Sequence, residues 1–371
     1  MFSLRRFDWL IFFPMVAITA IGVAMVYSAF EASLPGGPRP GLDNFALRQL
    51  LFSGIGLVVY LVAAGLDYHI WIASYRWLYL LVILMLLVTL AMADPTFGTR
   101  AWLNLGIFGI QLSELGRVFM IIVMARVLGV EGHKLEGAGP FLVSGLLIAP
   151  TIVLIYLQVD FGMALMLGTV WLGAVFLAGV RWRHLATVAM GAAAIVPLGW
   201  FQLEEYMRGR VYHFLYPGLD PSGATYNVNQ ALISIGSGGW WGKGFAQGTQ
   251  SQLHFLRVRH TDFIFSVYCE EFGFIGAMLL ILLFAVLIFR LIRVADSSRD
   301  RYGRLIAGGV AVSLFAQTFI NLAINANIMP VTGLPLPMIS YGGSSLISSM
   351  LALGIAQSVS QRRRPPDNPL L

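Results

Sequence analysis

HFLRVRHTDFIFSVYCEE, residues His254–Glu271, is where a basic, polar segment runs into a long apolar one. Asp262 stands at the junction with Arg259 and His260 just before it, and Glu270 and Glu271 follow about two helical turns farther in. A carboxylate at the mouth of a membrane span is costly to place, so it calls for a structural or functional reason. Two readings of Asp262 are open. An Asp directly before an apolar helical run is a good N-cap, and a carboxylate at a membrane face is equally a candidate catalytic base. Glu270 and Glu271, deeper in the run, are expected to face a cavity or a cation rather than lipid.

Upstream of this junction lies the chain's longest polar stretch, 204–261, and nearly everything else reads as apolar helix of membrane-spanning length, ~20 residues. Such segments fall at 9–28, 46–65, 75–93, 112–130, 139–158, 160–179, 184–202, 263–290, 303–327 and 338–360. The expected fold is therefore an all-α polytopic membrane protein of about ten transmembrane helices with one large extracytoplasmic loop, about 203–262. It would form a single transmembrane domain over 1–361, followed by a short cytoplasmic tail, 362–371. Gln158-Val159-Asp160 leaves room only for a very tight turn, so an interruption within one helix is the alternative there. Composition agrees with a membrane protein: 58% of residues are hydrophobic and 11% charged, against ~25% charged in a soluble domain. The excess of basic residues sits in short loops and points to no nucleic acid. The lone Cys269 excludes an internal disulfide and a Cys-based zinc site. Placing both termini in the cytoplasm puts 15 of the 24 Lys and Arg on the cytoplasmic side, and five of the other nine in the long loop.

Polar residues become specific on the outer side. The glycine-rich stretch around Lys243 offers exposed amides and an ammonium to an anion, or is simply a set of turns. Arg208 and Arg210 are either a solvated pair or a guanidinium clamp on pyrophosphate. Glu114 and Arg117, three apart, share a helical face, and an ion pair of Arg117 with Glu114 or Asp160 would lower the cost of burying them. Three prolines break the backbone between Asn327 and Ser345, and such backbone at membrane depth must be buried or line a cavity.

GKGFAQGTQSQLHF (Gly242–Phe255), RHTDFIFSVYCEE (Arg259–Glu271) and PVTGLPLPMISYGGSS (Pro330–Ser345) together resemble the SEDS family (shape, elongation, division and sporulation), in its RodA branch. The resemblance covers essentially the whole chain. It implies a peptidoglycan glycosyltransferase that polymerises lipid II at the outer face of the inner membrane during cell elongation, releasing undecaprenyl pyrophosphate. It further implies a class B penicillin-binding protein and other elongation-complex proteins as partners. No organic cofactor is expected; a divalent cation, Mg or Mn, is, with its ligands unknown. Asp262 of RHTDF becomes the catalytic candidate. QVDFG (Gln158–Gly162) resembles the family's QPDLG and points to Asp160, while QLSELGR (Gln111–Arg117) resembles QPSExxK and points to Glu114 and Arg117. With these, Arg208, Arg210, Lys243, Arg259 and His260 make up the expected substrate-binding set. The chain departs from the pattern at Arg117, where lysine is usual, at Leu112 and Val159 for prolines, and at Ala101 for an arginine that Arg100 adjoins. Arg257-Val258 stand for Pro-Glu. A lipid-linked sugar flippase or transporter fits the same architecture but would gather its charges at the midplane with access from both sides. A noncatalytic scaffold for a transpeptidase would tolerate changes at Asp262.

Overall fold

The computed structural model describes residues 6–34, 37–93, 99–104, 106, 109–129, 138–180, 183, 186–187, 190–191, 205–216, 225–256 and 258–363. Its helices in chain order are α1 (Trp9–Val26), α2 (Phe45–Gly65), α3 (Tyr68–Ala73), α4 (Tyr75–Met92), α5 (Leu112–Leu128), α6 (Ala138–Leu157) and α7 (Phe161–Leu177). They continue as α8 (Glu205–Leu215), α9 (Tyr226–Ser237), α10 (Thr249–Gln252), α11 (Ile264–Asp296), α12 (Arg301–Asn325) and α13 (Gly343–Gln361). A short antiparallel pair, Leu103–Asn104 with Gly109–Ile110, joins α4 to α5. Nine of the ten expected spans coincide with helices; the tenth, 184–202, falls mostly outside the described residues. Among the described residues, six helices are long and apolar enough to cross a membrane by length and composition.

The helices sort into an inner and an outer set, for a reason visible in their side chains. α5 is buried continuously from Gly116 to Ala125, and α13 from Ser348 to Gln361, so the serines of the latter are kept from lipid. α2, α4 and α6 instead present large apolar side chains outward, such as Val58, Leu84 and Leu146, as lipid-facing helices do. α2 lies against α13 closely because Gly354 carries no side chain. A Cβ there would come within 2.6 Å of the Tyr60 carbonyl oxygen, the small-residue contact expected between membrane helices.

α6 and α7 are separate helices. The chain reverses at Val159, whose φ of 60° is the left-handed conformation a β-branched residue rarely takes. Asp160 then caps α7, its Oδ1 accepting from the Met163 N–H at 3.0 Å. The last expected span begins five residues later than its apolar pattern, because 326–342 is not helical. As its prolines require, this broken stretch is interior: Leu334, Leu336, Met338 and Ile339 are all buried.

The polar segment before α11 is more ordered than a run of turns. It carries α8, α9 and α10, and its glycine-rich part wraps a break in α11. Gly273 has φ 65° and ψ −165° in mid-helix, a conformation essentially reserved for glycine. The break frees two carbonyls and two amides at membrane depth, where no water can satisfy them. The loop pairs all four. Lys243 N and Gly244 N donate to the carbonyls of Glu270 and Glu271 at 2.9 and 3.0 Å, and Phe274 N and Ile275 N donate to those of Gly239 and Trp240 at 2.8 and 3.2 Å. The amides around Lys243 thus serve the protein's own backbone, which corrects their reading as a phosphate cradle. Gly273→Ala is expected to lower stability by at least ~1–3 kcal/mol, because its Cβ would lie 2.7 Å from the Trp240 carbonyl group. Thermal unfolding in detergent measures this, and an unchanged midpoint would show that the loop is not seated on the break.

Candidate active site

α11 starts at Ile264 with Phe263 in the cap position and no side-chain cap. Asp262 therefore does not act as the helix cap; it sits in the turn just outside the helix, half-buried. Burial pushes its carboxyl up to about 6, against the pull of the Arg210 guanidinium. Arg210, on α8, also acts electrostatically on Asp160, so this one cation serves both carboxylates.

Asp160 is held by Gln111, whose Nε2 donates to Oδ2 at 2.7 Å. Below it on α5, Arg117 and Glu114 form the expected ion pair at 2.8 Å, with both side chains almost fully buried. Arg117 also donates to Ser313, and Gln317 Nε2 reaches Glu114 Oε1 at 3.4 Å. Of the two partners open to Arg117, the structure selects Glu114.

The proline-broken stretch forms the opposite wall. Prolines remove backbone donors, and the carbonyls there are served by side chains from two helices, α8 and α12. Arg210 Nη1 donates to Val331 O at 3.0 Å, Asn321 Nδ2 to Leu334 O at 2.9 Å and Gln317 Nε2 to Pro335 O at 3.1 Å. Ser340 Oγ donates to the Thr261 carbonyl at 2.6 Å, and Tyr341 N to that of His260 at 2.9 Å. RHTDF and PVTGLPLPMISYGG are thereby tied into one surface carrying Asp262, Arg210 and Asp160.

Comparison with known proteins settles the kinship of this arrangement. Residues 8–365 match the family model described as Cell cycle protein, that of FtsW, RodA and SpoVE. The chain belongs to this family. The peptidoglycan glycosyltransferase MrdB of Escherichia coli (strain K12) is 37% identical over 343 residues, covering 92% of this chain and 91% of that one. A probable peptidoglycan glycosyltransferase FtsW of Geobacter sp. (strain M18) is 34% identical over 365 residues, with 96% and 98% covered. Among solved structures, the Thermus thermophilus rod shape determining protein RodA superposes with a TM-score of 0.71 at 30% identity, covering 97% of this chain and 98% of that one. A chain from a peptidoglycan synthase complex that coordinates polymerization and crosslinking gives 0.80 at 31% identity, with 95% and 97% covered.

Within this SEDS framework, other expected substrate-binding residues stand apart from Asp262. Lys243 Nζ is 2.7 Å from Glu270 Oε1 and donates to Thr249 Oγ1 at 2.8 Å, so its charge is balanced inside the chain. That meets the expectation that Glu270 faces a cation and corrects the reading of Lys243 as an ammonium held out to an anion. Glu271 takes a hydrogen bond from Ser28 of the π-helical turn after α1. Arg259 is buried against that same turn, donating to Ala29 O and, at 3.0 Å, to Ser33 Oγ. It pins α1 to the loop and is not aimed at a ligand. His260 stacks on Phe45 with ring centroids 5.6 Å apart. Burial, and then the Arg259 charge, pushes its imidazole down to about 4, so it is a neutral aromatic spacer at physiological pH. Arg208 and Arg210 lie two apart on a helix, which turns them to different faces. Arg100 is exposed where Ala101 is buried. Among the described residues no group of three or more His, Cys, Asp or Glu converges to hold a metal ion.

Sequence reasoning passed over Asn321, Asn325 and Gln317. The signal was available: amides spaced four apart on an otherwise apolar helix share a face and need buried partners.

Proposed function

We propose that this SEDS protein is a peptidoglycan glycosyltransferase that polymerises lipid II into glycan strands at the outer face of the cytoplasmic membrane during elongation. The observation that carries the chemistry is Asp262, held half-buried in a turn at the membrane face beside Arg210. Strand growth forms a bond between an acceptor sugar hydroxyl and the anomeric carbon of the donor. The bond from that carbon to the lipid pyrophosphate breaks, and undecaprenyl pyrophosphate leaves. Asp262 takes the hydroxyl proton as general base. Arg210 offsets charge on the departing pyrophosphate, and Asp160 with Gln111 orients the polar wall across from it. A single displacement of this kind inverts the anomeric centre. Among the described residues no group of three or more His, Cys, Asp or Glu converges, so the expected divalent cation would share its ligands with the lipid pyrophosphate.

Both termini lie in the cytoplasm, and α8 to α10 sit outside with the substrate head group. The membrane partner is a class B penicillin-binding protein, a reading supported by the synthase complex among the structural neighbours. The test is polymerisation of purified lipid II by the protein with that partner; absence of strands from a folded complex would sink the proposal.

A pH dependence follows. The base works only when ionised, and its carboxyl is raised, so activity should be full well above pH 6 and lost as pH falls through about 6. Values of kcat/KM between about pH 5 and about pH 8 read this limb, and a profile flat across that range, as an ordinary carboxylate of pKa ~3.9 would give, would remove the assignment.

A further inference from the structure

Helix α11 opens two residues after Asp262 because one hydrogen bond is intercepted. In an unbroken helix the Ser266 N–H would donate to the Asp262 carbonyl, four residues back. Here the Asn325 side chain stands between them. Ser266 N and Oγ donate to Asn325 Oδ1 at 3.1 and 2.6 Å, Ser266 N being shared with the Phe263 carbonyl at 3.1 Å, and Asn325 Nδ2 donates to the Asp262 carbonyl at 2.9 Å. One turn away on α12, Asn321 Nδ2 donates to the same carbonyl at 3.1 Å and to Leu334 O at 2.9 Å. Asn325 Nδ2 also donates to Asn321 O at 2.9 Å, and both amides are fully buried.

We propose that Asn321 and Asn325 are positioning residues: their amides hold the main chain of Asp262 out of α11 and so aim its carboxylate at the acceptor hydroxyl. This rests on the reading of Asp262 as the base. The orientation of the Asn325 amide is set by Ser266, whose two donors require the oxygen end and leave the nitrogen end for Asp262. Removing the Asn325 amide leaves the Ser266 N–H with only the Phe263 carbonyl, at 3.1 Å, and the Asp262 carbonyl with only Asn321, so nothing then stands between that N–H and that carbonyl and the two can close. That closure winds α11 back toward Asp262 and, at about 100° per residue, swings its side chain to another face. Asn321 opposes the same motion from the other side by tying the carbonyl to the proline-broken wall.

The experiment measures kcat and KM separately for lipid II polymerisation by the complex with its penicillin-binding partner. It compares wild type, Asp262→Ala, Asn325→Leu, Asn321→Leu and Ser266→Ala. Asn325→Leu and Asn321→Leu should each lower kcat at least about tenfold with KM held within about twofold, the split expected when only alignment in the transition state is lost. Ser266→Ala keeps the main-chain donor and loosens the amide, so kcat should fall about two- to fivefold. A folded Asn325→Leu with kcat within about twofold of wild type overturns the proposal, as does a raised KM with kcat unchanged. If the leucine variants do not fold, Ser266→Ala decides alone, and an unaltered kcat overturns the clamp. Full activity in Asp262→Ala would remove the catalytic reading and the clamp with it. An inactive Asp262→Ala beside unaltered asparagine variants removes the clamp only.

Discussion

Asp262→Ala is expected to lower glycan strand formation by about 10²- to 10⁴-fold, the usual contribution of a positioned general base. The loss should fall on kcat and kcat/KM together, because the carboxylate acts on a proton that moves only in the transition state. Folding should be little affected. Asp262 does not cap α11, and the two asparagine bonds go to its main-chain carbonyl, which alanine retains. Asp262→Asn keeps the shape and removes the basicity, so it should be as inactive as the alanine variant. Strands made at the wild-type rate by either variant would end the role of Asp262 as the base.

The second large effect is on stability. Arg117→Leu leaves Glu114 fully buried with only the long contact to Gln317, and stranding one partner of a buried ion pair costs about 3–5 kcal/mol. Adding Glu114→Leu to that variant should recover much of the loss, since an apolar pair of similar volume replaces a buried ionic one at little cost. Arg117→Lys keeps the charge but loses the planar fork that serves Glu114 and Ser313 together. It should fall between wild type and the leucine variant. Equilibrium unfolding in detergent separates these outcomes, and a loss below about 1 kcal/mol in Arg117→Leu would show that water reaches the pair.

The spans were legible because lipid imposes both length and apolarity, so nine segments found by pattern alone became helices. The break at Gly273 was not legible. It lies inside a continuous apolar run, where composition does not register a change of backbone direction. The start of α13 was placed too early for the same reason: Met338 and Ile339 are apolar and buried without being helical. Within the site, Asp262, Asp160, Glu114 and Arg117 stood out as charges against an apolar background. Lys243 and Arg259 stand out equally, as members of the expected substrate-binding set. Their partners, Glu270 and the turn after α1, lie 27 and about 230 residues away in the chain, beyond anything spacing expresses. Conversely the asparagines of α12 carry no charge, and a helical period alone does not say which carbonyl they reach.

The loop that closes the break in α11 precedes that helix in the chain, and this sets an order of assembly. Residues 239–244 are synthesised before Gly273, so the donors and acceptors the break needs precede it toward the bilayer. Each backbone group left unpaired there would cost several kcal/mol. A circular permutant opened between α10 and α11 would synthesise the break first and its partners last. It would carry four orphaned groups through insertion, and its yield in the membrane should fall even though every contact of the finished protein remains possible.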